Sequence, residues 1–115
     1  MKSLQEAPAL SAADRALLLR ARDAVRAVEP NAFVILYGSR ARGDAAPDSD
    51  WDLLVLIDGA VEWHREEAIR RPLIWLGVDS DAVLTVLVYS RQDWDSAPYR
   101  SMPLHRNVSR DGITL

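Results

Sequence analysis

The sequence predicts an α/β (α+β) fold, a small mixed sheet flanked by helices, in a single domain spanning residues 1–115. Three observations point there. Residues 32–37, 51–57 and 83–89 are short, continuous apolar runs, the pattern of strands covered on both faces. Residues 12–28 and 61–76 instead repeat their apolar side chains at helical spacing. A chain of 115 residues is also long enough for one core and too short for two.

Each element has a local reason. Ser11, followed by Asp14, resembles a capping box at the start of the helix over 12–28, in which Leu17, Leu18, Ala21, Ala24, Val25 and Val28 form the apolar stripe. Glu29-Pro30-Asn31 ends it, and the first strand, 32–37, closes at Gly38. The second strand, 51–57, stops at the turn chemistry of Asp58-Gly59. Pro72 is expected to kink or split the helix over 61–76. The third strand, 83–89, leads into a short helix capped by Ser90 and ending near Trp94. A further short helix is expected over 104–110, after which Gly112 releases 113–115 as a terminal edge strand. Trp63, Trp75 and Trp94 are expected in the core, with packing against a partner as the alternative.

Composition removes several function classes. With 49% apolar and 27% charged residues, the chain is neither disordered nor of low complexity. Seventeen acidic against fourteen basic residues give a net charge of −3, which argues against an extended nucleic-acid surface but leaves a nucleotide as ligand. There is no cysteine, hence no disulfide, thiolate metal site or thiol nucleophile. Residues 1–13 lack the apolar core of a secretory signal, and no run approaches the ~18–20 apolar residues of a membrane span. A cytoplasmic protein with no membrane association is expected.

The chemistry concentrates between Gly38 and Asp52. Gly38 and Ser39 leave a buried strand for a polar turn or helix start, where free backbone N–H groups and a hydroxyl suit a phosphate. Arg40 and Arg42 add cationic forks nearby. After Pro47-Asp48-Ser49, Asp50 and Asp52 sit two residues apart on the second strand, so both point to one face while Trp51 points to the other. Two carboxylates so close repel unless a cation lies between them, and Mg²⁺ prefers one or two carboxylates plus water and phosphate oxygens. A phosphate cradle beside a carboxylate pair therefore reads as a metal-nucleotide site for phosphoryl or nucleotidyl transfer. Neither a P-loop nor Gly-x-Gly-x-x-Gly occurs. His64 and His105 stand alone and are set aside.

Gly-Ser, ten residues, then Asp-x-Asp resembles the pattern of the minimal nucleotidyltransferases of the DNA polymerase β superfamily. The order of elements is similar to that family's polymerase β-like fold, and residues 89–115 resemble the tail of its small bacterial members, among them antitoxins. The resemblance implies that Gly38 and Ser39 bind the β- and γ-phosphates of ATP, that Arg40 and Arg42 contact phosphate, and that Asp50 and Asp52 are catalytic and hold Mg²⁺ or Mn²⁺. It also implies transfer of AMP from ATP to a hydroxyl of a partner protein, with a HEPN-type toxin as that partner. The family's third carboxylate, counted back from Tyr89-Ser90, falls on Thr85, with Asp81 as the alternative in another register. Thr85 there would leave a catalytically impaired module that binds nucleotide or masks a partner.

Overall fold

A computed structural model describes residues 1–115. Five strands form one mixed sheet in the order β1-β5-β2-β3-β4: β1 is Lys2–Ser3, β2 Phe33–Tyr37, β3 Trp51–Ile57, β4 Leu84–Ser90 and β5 Ile113–Thr114. The helices are α1 (Ala12–Val28), α2 (Ser39–Arg42), α3 (Trp63–Ser80), α4 (Arg91–Trp94), α5 (Ala97–Arg100) and α6 (Pro103–Asp111). No helix is long and apolar enough to cross a membrane.

The two-residue period of the strands divides the core. Leu53, Val55 and Ile57 of β3 face α1 and α3, meeting Leu18, Ala21 and Val25 of the first and Ile69, Leu73 and Leu76 of the second. Leu54 and Leu56 face the other way, onto Ile35, Trp94 and Val108. Ser11 caps α1 as expected, accepting from Asp14 N–H at 3.0 Å while its own N–H donates to the Asp14 carboxylate at 3.1 Å.

β2 runs antiparallel to β3, with Tyr37 opposite Asp52, and β3 runs parallel to β4, with Asp52 opposite Thr85. That register brings the end of β2 and the starts of β3 and β4 to one end of the sheet.

Four expectations are corrected. Pro72 does not break α3, which runs unbroken to Ser80 because Leu73, Leu76 and Gly77 beyond the proline are buried and hold it to the sheet. The 113–115 segment is not an edge: β5 lies between β1 and β2, and the sheet ends at Lys2–Ser3, residues too few and too polar to show a strand pattern. β4 is itself the opposite edge, paired with β3 alone, so the 83–89 run is less enclosed than expected although both its faces contribute to the core; Val83 is 61% exposed and Thr85 is exposed. Arg70 protects that edge by donating to the Val86 carbonyl. Of the tryptophans expected in the core, Trp94 is buried, whereas Trp63 and Trp75 lie on the outer face of α3, where the core reading fails.

Candidate active site

Gly38 leaves β2 at φ 75°, a left-handed conformation that a side chain resists, and serves as the N-cap of α2. The same residue touches Asp52. A Cβ on Gly38 would overlap the Asp52 carboxylate oxygen Oδ2 and come within 3.3 Å of its Cγ. The phosphate turn and the carboxylate are thus packed directly against each other. The N–H groups of Ser39 and Arg40, in the first turn of α2, precede any helical carbonyl that could accept from them. With four residues α2 contributes little dipole, so the attraction for an anion rests on these N–H groups, the Ser39 hydroxyl and nearby cations.

Asp50 immediately precedes β3 and Asp52 lies within it, so both project from the sheet face opposite α1 and α3. Burial raises the Asp52 pKa above the usual carboxylate value; the Asp50 charge adds to the rise and Arg42 opposes it. Tyr37, paired with Asp52 across the ladder, is pushed up to about 12, by burial first and then by the Asp52 and Tyr89 charges. Tyr37 is therefore a neutral phenol beside the carboxylates at any ordinary pH.

Thr85 completes the cluster. It is the ladder partner of Asp52, and its hydroxyl donates to Asp50 Oδ2 at 3.4 Å. Asp81, the alternative position, is elsewhere: it terminates α3 in a left-handed conformation (φ 54°, ψ 45°). It lines a cleft of about 850 Å³ together with Arg20, Arg40, Trp51 and Asp79. That cleft opens on the α1 and α3 side of the sheet, away from Asp50 and Asp52.

The two arginines of α2 part company, since positions two apart on a helix point in nearly opposite directions. Arg42 stays on the carboxylate side, where its charge reaches Asp52 while its Nε pairs with Asp44 at 3.2 Å. Arg40 turns the other way. Its guanidinium stacks 4.2 Å over the Trp51 ring and donates to the carbonyls of Pro47 at 3.0 Å and Ser49 at 2.8 Å. The structure thus gives Arg40 the job of clamping the loop that delivers Asp50, a role invisible in the sequence because its acceptors are backbone carbonyls. His64 is exposed on α3, and His105 stacks on Trp94 at 4.6 Å.

Nowhere are three His, Cys, Asp or Glu side chains gathered to hold a metal. The donor set at Asp50 and Asp52 nevertheless suits a hard cation that draws its remaining ligands from water and phosphate, and the charge strain on Asp52 is what such a cation would relieve.

A Gly38→Ala variant is expected to lose about 1–3 kcal/mol of folding stability, through positive-φ strain and collision with Asp52. It should lose nucleotide affinity in the same step, read by denaturant unfolding and calorimetry. Normal ATP binding in this variant would show that the turn does not seat the phosphates.

No curated protein matches the chain. The family model for the nucleotidyltransferase domain matches residues 18–95, a stretch that begins within α1, ends just past α4 and contains Gly38, Ser39, Asp50, Asp52 and Thr85. With more than half its length matched, and with a mixed sheet placing the Gly-Ser turn against the Asp-x-Asp strand, the chain belongs to the nucleotidyltransferase domain family.

Proposed function

We propose that the chain binds ATP with Mg²⁺ or Mn²⁺ and transfers AMP to a hydroxyl of a partner protein, acting as antitoxin to a HEPN-type toxin. The observation that supports the site is the contact of the Asp52 carboxylate with Gly38, which joins the carboxylate pair to the phosphate turn. The protein acceptor, AMP and the HEPN-type partner are supported by the resemblance of residues 89–115 to the small bacterial members of the family.

Gly38, with no side chain, leaves the Ser39 N–H and hydroxyl open to the β- and γ-phosphates. Asp50 and Asp52 would hold the metal, which when bound offsets phosphate charge and lowers the pKa of an attacking hydroxyl. The acceptor oxygen forms a bond to the α-phosphorus as the bond to pyrophosphate breaks, and the hydroxyl proton must leave to a base. The resemblance gives the third carboxylate's position to Thr85, the ladder partner of Asp52, whose neutral hydroxyl is a poor base for that proton.

That position favours a second reading, a module that binds nucleotide and masks its partner without transferring anything. The intact mass of a co-expressed partner separates the two: a gain of one nucleotide supports transfer. No gain, together with ATP binding that needs the metal, supports masking. Equal ATP affinity in excess chelator would overturn the shared site.

A further inference from the structure

The outer face of α3 has no neighbour within the chain. Trp63 is 79% exposed, Ile74 60%, Trp75 68% and Val78 68%. At 3.6 residues per turn these four lie within about 120° of arc, with Glu67 and Arg71 between them. Together with half-exposed Val28 they present roughly 600 Å² of apolar surface, at the upper end for a whole monomer's largest patch and most of the ~800 Å² a standard interface takes from each partner.

Beside this stripe runs a groove of about 330 Å³, bounded by Val28, Trp63, His64, Ala68 and Pro72. Pro72 has no N–H, so the Ala68 carbonyl lacks the donor that the next helical turn would normally supply. The groove offers apolar walls from Val28, Trp63, Ala68 and Pro72, with Glu67 and Arg71 also on its lining. An indole, flat and largely apolar, suits such walls.

We infer that this face is a homodimer interface, in which two α3 helices pack antiparallel about a two-fold axis and each Trp75 enters the groove of the other copy. Charge selects the register. An axis passing near Arg71 would set that residue against itself, whereas an axis near residue 69 sets Glu67 against Arg71 of the second copy, twice over. The same register brings Trp75 to the level of Trp63 and His64 of the second copy, where the groove lies. Glu67 and Arg71 already face one another within the chain at 3.1 Å, both exposed, so the dimer trades a solvated pair for two crossed pairs beside its axis, flanked on either side by apolar contact. Such self-complementarity is what a two-fold interface requires and what an unrelated partner would not. α3 covers the sheet face opposite Asp50 and Asp52, so the dimer leaves the nucleotide site open.

Light scattering across ~1–100 µM, spanning the weaker affinities of interfaces this size, tests the inference. The wild type is expected to reach twice the 12.9 kDa chain mass. Trp75→Ser should raise the dimer dissociation constant at least ~30-fold, as loss of a tryptophan seated in a partner's groove does, with metal-dependent ATP binding unchanged. Glu67→Arg should weaken the dimer about 10-fold, and adding Arg71→Glu should restore it. A wild-type monomer throughout the range, a dimer indifferent to Trp75→Ser, or charge variants whose losses only add would overturn it. So would a chain that is monomeric alone and uses Trp75 to bind a different protein.

Discussion

Asp52→Asn is expected to cut nucleotide transfer about 10³-fold, the kinetic equivalent of ~4 kcal/mol of lost metal and charge stabilisation, and to abolish the metal dependence of ATP binding. The same change should make the metal-free protein more stable. Burial and the neighbouring Asp50 raise the Asp52 pKa in the folded chain, so the folded state holds this proton to higher pH than the unfolded one does. Its contribution to stability is therefore full below the ordinary aspartate range and is lost as the pH rises through the raised value. Asparagine has no proton to lose. In chelator, the variant should match wild type in acid and exceed it near neutrality, a modest gain because Asp52 is only partly buried. Thermal unfolding at the two pH values reads the difference, and calorimetry with Mg²⁺ reads the binding. Identical metal-dependent ATP affinity in wild type and variant would remove Asp52 from the site.

Thr85→Asp is expected to act in the opposite direction on chemistry. The substitution places a carboxylate on the ladder partner of Asp52, next to Asp50, where it can accept the acceptor's proton and add an anionic metal ligand. General-base help is commonly worth ~10²–10⁴-fold, so label transfer from ATP to a competent partner should rise by a factor in that range. Because Thr85 is exposed, desolvation costs little; the penalty is repulsion among three carboxylates, seen as lower stability in chelator and recovered with Mg²⁺. Asp81→Ala should leave transfer unchanged, since Asp81 ends α3 on the opposite side of the sheet. Strong wild-type transfer that Asp81→Ala abolishes, with no gain from Thr85→Asp, would move the third ligand to Asp81.

The features legible in the chain are those set by neighbours in sequence. The three apolar runs became β2, β3 and β4, adjacent in the sheet. Alternation along a strand put Asp50 and Asp52 on one face, and a glycine after an apolar run marked the turn that Asp52 packs against. The Ser11 cap needed only Asp14, three residues on.

Tertiary structure decided what depends on distant partners. An apolar run announces that a strand is covered, but the edge position of β4 and the interior position of β5 follow from which strands pair, and β1, at two residues, carries no pattern. The continuity of α3 past Pro72 rests on buried contacts beyond it, whose strength outweighs one missing hydrogen bond. Arg40 and Arg42 look alike in sequence, yet one clamps a loop and the other faces the carboxylates, because a helix turns them apart. Trp63 and Trp75 were indistinguishable from Trp94 by hydrophobicity alone. The sheet takes the other side of α3 and leaves Trp63 and Trp75 outside, while α4 lays Trp94 onto the opposite sheet face, and both outcomes are properties of packing between elements rather than of any single segment.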